Sequence, residues 1–179
     1  MRKIVAGMFI TLDGVVEAPE KWNPPYYDDE MGQAVMPALA AAGLHLYGRL
    51  LRAVPQRVHR QGGSSARGDD DQPPKVVVST TLDDPGWGPT TLIRSNVAAE
   101  LTKLKQQPGQ DISVAGSGTL VRFLLQAGLL DELRLLVHPV LAGAGKRLFE
   151  GAGDKVPLTL LDSRPHSNGV VALRYAPAA

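Results

Sequence analysis

The run Ile112-Ser113-Val114-Ala115 is followed by Gly116-Ser117-Gly118-Thr119 and then by a segment whose Leu120, Val121, Leu124 and Leu125 recur at helical spacing. Small residues at a strand-to-helix junction let a ligand approach the backbone, and the first N–H groups of a helix have no partner within it. The start of a helix carries roughly half a positive charge, so a pyrophosphate placed there meets free donors and a favourable dipole. The same Gly-x-Gly also serves as a tight turn packing helix against strand, so the motif by itself leaves both readings open. It is not the three-glycine dinucleotide fingerprint. Val121 stands where the third glycine belongs, the first strand carries no such motif, and no acidic strand end follows about 20 residues later.

Other reactive side chains form no second constellation. His45, His59, His138 and His166 are scattered without metal-ligand spacing and cysteine is absent, so no metal site is expected. Ser117 has no base near it in sequence and sits in a glycine turn, which argues against a nucleophile. Arg57, His59, Arg60 and Arg67 are available to clamp an anion, but they belong to a segment, 57–74, with almost no apolar residue, and a solvated flexible loop is the favoured reading. Trp87, between two glycines, reads as a packing residue.

The elements that must position the glycine turn alternate along the chain. Ile4 to Ile10 is a strand ending at the turn Thr11-Leu12-Asp13-Gly14. Asp28 to Ala42 opens with acids and carries Met31, Val35, Leu39 and Ala42 at helical spacing, ending at Gly43. Leu44–Tyr47, Lys75–Ser79, Thr91–Ile93, Ile112–Ala115 and Glu132–His138 read as strands, with helices expected over Leu50–Val54, Val97–Lys105 and Thr119–Gln126. This order predicts a mostly parallel sheet with helices on both faces. Leu158–Ser163 and Val170–Tyr175 flank Asn168-Gly169, a hairpin signal, so the sheet should finish antiparallel.

At 179 residues, one domain spanning 1–179 is expected, large enough to bury roughly 70% of the unfolded chain's surface. Nineteen basic residues nearly cancel eighteen acidic ones, and the basic residues form no helical stripe, so neither nucleic acid nor an anionic membrane is an expected partner. Met1-Arg2-Lys3 precedes only a short apolar run, too short to span a bilayer and without a cleavage pattern; a cytoplasmic protein is expected.

Taken in order, Thr11-Leu12-Asp13-Gly14, Tyr47-Gly48-Arg49, Val77-Val78-Ser79-Thr80-Thr81-Leu82, Ala115 to Leu120, Asp131-Glu132-Leu133, His138-Pro139-Val140 and Gly143 to Phe149 resemble the dihydrofolate-reductase-like family over nearly the whole chain. The resemblance is to the reductase domain of bacterial riboflavin-biosynthesis deaminase-reductases, here as a stand-alone member. It implies a three-layer α/β fold and a nicotinamide cofactor. Gly116, Ser117, Gly118, Thr119 and Leu120 would receive the pyrophosphate, with Gly48, Arg49 and Leu50 facing the phosphates from the other side. Ser79, Thr80 and Thr81 would hold the adenosine 2′-phosphate of NADPH, and the strand at Ala6 and Gly7 would lie against the nicotinamide. Asp13 and Trp22 would border the substrate cavity, Asp13 being the carboxyl to consider as proton donor or substrate anchor. Its alternative is plain capping of the turn at Gly14.

Three positions depart from the family pattern. Tyr27 stands where folate reductases carry the acid that grips the pterin, with Asp28 next. A tyrosine cannot make a bidentate carboxylate grip, and helix N-cap is the favoured reading of Asp28. Leu50 and Leu51 replace side-chain donors to the phosphates. Thr80 replaces an arginine whose charge-assisted hydrogen bond is worth about 1.5–3 kcal/mol, which weakens the preference for NADPH unless Arg49 or Arg94 compensates; NADH is the second choice of cofactor. The reading is an NADPH-dependent reductase of a small organic substrate through C=N, C=O or C=C reduction. The alternative is an inactive nucleotide- or small-molecule-binding protein on the same scaffold. Family resemblance also implies a homodimer, with the C-terminal strands at the interface.

Overall fold

Burial alternates along the first strand, β1 (Ile4–Thr11): Ile4, Ala6 and Ile10 are buried while Gly7 is exposed. That is the period of a strand with a covered face and a more open one. The computed structural model describes residues 1–48, 73–83, 90–151 and 153–178. The expected Leu50–Val54 helix, Arg57, His59, Arg60, Arg67 and Trp87 lie outside the described residues, as do Arg49, Leu50 and Leu51.

The remaining strands are β2 (Leu44–Gly48), β3 (Lys75–Val78), β4 (Thr90–Ile93), β5 (Ile112–Val114), β6 (Glu132–His138), β7 (Leu158–Pro165) and β8 (Val171–Pro177). They form one sheet in the order β4-β3-β2-β5-β1-β6-β8-β7. β4 through β6 pair in parallel, while β8 runs antiparallel to β6 and β7 antiparallel to β8. The Asn168-Gly169 turn closes the last hairpin, with Gly169 at φ 88°. The architecture is thus the expected α/β one, a mostly parallel sheet ending in an antiparallel hairpin.

Among the described residues the α-helices are α1 (Asp29–Ala40), α2 (Val97–Gln106) and α3 (Gly118–Gln126). α1 is shorter than the apolar spacing predicts: Asp28 stays outside as N-cap, accepting the Met31 N–H at 2.8 Å, and Ala41 caps the other end. α2 and α3 cover the buried face of the sheet. Leu101 of α2 and Leu120, Val121, Leu124 and Leu125 of α3 pack in one cluster with Ile4, Ala6, Leu46, Val114 and Leu133.

The strand order sets the crossovers. From β1 the chain passes through α1 to β2, on one side of β5; from β5 it passes through α3 to β6, on the other side of β1. Right-handed crossovers in opposite directions put α1 and α3 on opposite faces. The chain therefore diverges between the neighbouring ends of β1 and β5.

Leu124 is fully buried at the centre of the α3 contact. Leu124→Ala is expected to lower unfolding free energy by about 2–5 kcal/mol, measured by urea titration followed by circular dichroism.

Candidate functional site

Ligands of open parallel sheets sit outside the carboxyl ends of strands, where neighbouring connections leave in opposite directions. Here that place is between β1 and β5. One step beyond the paired residues Ala6 and Val114, Gly7 and Ala115 are both exposed. A Cβ built on Gly7 would meet no atom within 4 Å, so this central strand has open space above it.

The glycine turn and the end of β2 converge beside this crevice. A Cβ on Gly48 would lie 2.6 Å from Ser117 Oγ and 3.4 Å from Leu120 Cβ, so only glycine lets the two segments approach this closely. Ser117 is the N-cap of α3 and accepts the Leu120 N–H at 3.4 Å. Gly116 has φ 85°, a left-handed conformation that suits glycine, and its peptide bond to Ser117 is cis. Gly118 is closed from the other side, its missing Cβ being 3.3 Å from Val16 Cγ2 and 3.5 Å from Leu148 Cδ1. Thr119 is exposed, whereas the Leu120 side chain is buried in the core.

Ala6 is also fully buried, on the α3 side of the sheet. Alternation turns its side chain away from the open face, and Gly7 is the residue that borders the crevice. At the end of β3, the Ser79 hydroxyl accepts the N–H groups of Thr81 at 3.3 Å and Leu82 at 3.1 Å, a local turn that leaves Thr80 and Thr81 exposed. The Ser79 N–H donates to the Ile93 carbonyl, which brings Arg94 next to this turn; Arg94 pairs with Asp83 at 3.5 Å.

Asp13 is spent on loop contacts. Its carboxylate accepts the Thr11 hydroxyl at 2.5 Å, the Gly143 N–H at 2.9 Å and the Ala142 N–H at 3.1 Å. The Thr11 hydroxyl, then these two backbone donors, hold its pKa down to about 2. These bonds cap the turn after β1 and latch it to the segment after β6. The same two segments pair through Val15 and Arg147, the Val16 N–H donates to the Lys146 carbonyl, and the Leu148 N–H to the Gly14 carbonyl. Arg147, Phe149 and Glu150 line a cavity of about 340 Å³ with Asp13 and Gly14.

In the segment before α1, Trp22 is half-buried with its Nε1–H on the Glu17 carbonyl, and Tyr27 is exposed. Asp28 is committed at both oxygens, to the Met31 N–H and, at 2.8 Å, to Asn168 Nδ2. Spacing did not reveal what holds this segment. His138 is fully buried, its Nε2 2.8 Å from Asn23 Oδ1, with the rings of Trp22, Tyr26 and Phe9 edge-on at 5.1, 5.5 and 5.7 Å. Burial lowers its pKa, against the opposing pull of the Leu136 and Ile10 carbonyls. Asn168 also donates to the Tyr26 carbonyl at 2.7 Å, and Glu30 accepts both Ser167 donors. The Asn-Gly pair signalled a hairpin but not that its tip clasps α1. No group of residues with metal-ligand geometry occurs among the described residues.

The family model described as RibD C-terminal domain matches residues 2–172. The Bacillus subtilis protein YyaP is 40% identical over 83 residues, 46% of this chain and 44% of its own, so the chain matches less than half of that relative. Among solved structures, a pyrimidine reductase-like protein from Corynebacterium diphtheriae has TM-score 0.71 at 14% identity, over 99% of this chain and 92% of its own. The diaminohydroxyphosphoribosylaminopyrimidine deaminase/5-amino-6-(5-phosphoribosylamino)uracil reductase of Thermotoga maritima has TM-score 0.70 at 16% identity, over 99% and 57%. Dihydrofolate reductase of Enterococcus faecalis, complexed with NADP(H), has TM-score 0.64 at 13% identity, over 99% and 97%. Identities this low establish the likeness of fold.

The Asp13 contacts yield a pH prediction. Its folded pKa lies below the unfolded value of about 3.9, so its contribution to stability is complete above that value and lost as pH falls toward 2. Carboxyl-carbon NMR should find Asp13 ionised at pH values where an ordinary aspartate is half protonated, and Thr11→Val should move its midpoint upward.

Proposed function

Because the chain belongs to the RibD C-terminal domain family, we propose that it is a reductase that binds NADPH and reduces a small organic substrate at a C=N, C=O or C=C bond. The observation that carries this reading is the convergence of Gly48 with the Ser117-capped start of α3 beside the open crevice at Gly7. The fit is physical. α3 offers its first N–H groups and dipole beside the end of β2, and Gly7 leaves a flat surface for a ring.

In this reading Gly116, Ser117, Gly118, Thr119 and the Leu120 backbone hold the pyrophosphate, with Gly48 facing them. Arg49 and Leu50 are assigned to the same phosphates on resemblance alone. Thr80 and Thr81 meet the 2′-phosphate, and Arg94 supplies the charge that Thr80 lacks. The backbone of Ala6 and Gly7 carries the nicotinamide, and Trp22, Tyr27 and Asp28 border the substrate. NADPH, when bound, supplies the hydride; the chain supplies orientation and a site from which water is excluded. Asp13 holds the loops on either side of the crevice. Cytoplasmic action and assembly as a homodimer through the exposed outer strand β7 belong to the same proposal.

One observation favours the second reading, a nucleotide binder without turnover. Among the described residues the carboxyls with displaced pKa values, Asp13, Glu30 and Glu132, are all lowered, so each is held ionised rather than as a proton donor. Turnover with a panel of unsaturated cyclic substrates separates the two.

Nicotinamide fluorescence should report saturable NADPH binding, abolished by Gly118→Asp, which sets a carboxylate against the pyrophosphate in a space already closed by Val16 and Leu148. No nucleotide binding in the micromolar range would remove the reading. Arg94→Ala should weaken NADPH about tenfold or more and leave NADH unchanged, as the loss of one charge-assisted hydrogen bond requires; an equal loss for both would take Arg94 out of the 2′-phosphate site.

A further inference from the structure

Beside the crevice, on the face opposite α2 and α3, the sheet carries a set of charges that nucleotide binding does not use. Arg134 of β6 and Arg174 of β8 stand in register, and both are tied to Glu132. Arg134 Nε donates to Glu132 Oε1 at 2.6 Å; Arg174 donates from Nε to Oε1 at 2.9 Å and from Nη2 to Oε2 at 3.3 Å. The Glu132 side chain is only 7% exposed, against 36% for Arg134 and 45% for Arg174. Burial pushes the Glu132 carboxyl up, but the bonds from Arg174 and Arg134 outweigh it and hold the group ionised. Two cations on one carboxylate leave a positive charge over. Asp162, in register with Arg174, takes up part of that residue's share. Arg134 meets Glu132 through Nε alone, and its Nη groups donate to nothing among the described residues.

Arg134 is also the β6 residue in register with Gly7. Side chains of paired residues stand on the same face, so Arg134 and the open space above Gly7 share one face of the sheet. Val5 and Phe9 of β1 and Leu136 of β6 flank that space on the same face and are half-buried. The result is a glycine floor between apolar neighbours, with a forked donor along one side. Glu132 holds that donor by Nε, which leaves the outer edge of the fork presented and part of its rotamer entropy already spent. Two guanidinium N–H groups in a plane match the two oxygens of a carboxylate lying in that plane. A tetrahedral phosphate gains less from a flat floor.

We infer that Arg134 is a substrate-recognition residue, and that the substrate is a planar molecule bearing a carboxylate, lying beside the nicotinamide on the same face of β1 and β6, with the carboxylate on Arg134. The inference rests on the reductase reading for the word substrate; the anion site itself stands on the geometry.

The test is calorimetric titration of the full chain with benzoate and with its neutral counterpart benzamide, in the wild type and in Arg134→Met, Arg134→Lys and Arg174→Met. Arg174 still pairs with Glu132 when Arg134 is replaced, so the buried carboxylate keeps a partner and Arg134→Met is expected to fold. Benzoate should bind in the millimolar range expected of a fragment, at least tenfold tighter than benzamide. Arg134→Met should weaken benzoate tenfold or more, Arg134→Lys by less, and Arg174→Met not measurably. Benzoate and benzamide binding alike, no saturable benzoate binding, or equal benzoate affinity in Arg134→Met would each overturn the proposal. NADPH titration of the same samples keeps the two readings apart: NADPH bound with benzoate indifferent to Arg134 removes the anion site and spares the reductase, whereas benzoate bound through Arg134 with no nucleotide affinity does the reverse.

Discussion

The placing of β5 between β1 and β2 is the constraint from which the rest of this structure follows. Ile112 pairs with Ile4 on one side and Leu44 on the other, so the strand formed fifth in the chain completes the centre of the sheet. Once it is there, the connections leaving β1 and β5 must diverge to opposite faces, because both crossovers are right-handed. A gap opens at Gly7, one step beyond the last β1–β5 pair, Ala6 with Val114. Gly7 keeps it open, while Gly48 and Gly118 let neighbouring segments close against each other. At Gly48 a single added carbon would collide with the Ser117 hydroxyl, and at Gly7 nothing occupies the space a side chain would take.

A crevice bounded by loops is useful only if the loops hold still. The turn after β1 and the segment after β6 are joined by backbone hydrogen bonds and by the Asp13 carboxylate, which bridges residues about 130 positions apart. Arg122 extends the connection to α3: its Nη1 donates to the Arg147 and Leu148 carbonyls at 3.1 and 3.0 Å, and its Nη2 to Thr119 Oγ1 at 3.3 Å. The segment before α1 is held twice, inside by His138 and its ring of aromatic edges, outside by Asn168 and Glu30. Exposed ion pairs such as Lys146 with Glu17 and Arg164 with Glu30 add little to stability. Directional bonds to backbone groups set the loop geometry, and preorganisation of that kind lowers the entropic cost of binding.

Likeness of fold at 13 to 16% identity says how the chain is arranged, not what chemistry it performs. Within this scaffold, chemistry depends on the few side chains that face the crevice. Several of those named from motifs turn out to be committed elsewhere: Ser79 to its own turn, Asp28 to the start of α1, Asp13 to a loop. A side chain with all its partners supplied by the protein has less to offer a ligand than one with donors unspent, which is why Arg134, whose Nη groups donate to nothing among the described residues, carries more weight than its place in any motif suggests.

Strand and helix periods, the Gly-x-Gly turn, the Asp28 cap and the Asn168-Gly169 hairpin were legible in the sequence because each depends on residues within a few positions of one another. Local sterics and local hydrogen bonds decide them. The strand order, the face on which Ala6 and Gly7 lie, the fate of the Asp13 carboxylate and the meeting of Arg134, Arg174 and Glu132 were not legible. Each joins segments distant in the chain, and sequence carries only which residues are available, not which of them the packed sheet will bring within a few ångströms. Only the closing of the hydrophobic core over β5 selects those neighbours, since burial is non-directional and rewards any apolar contact until the crossovers and the register leave one arrangement.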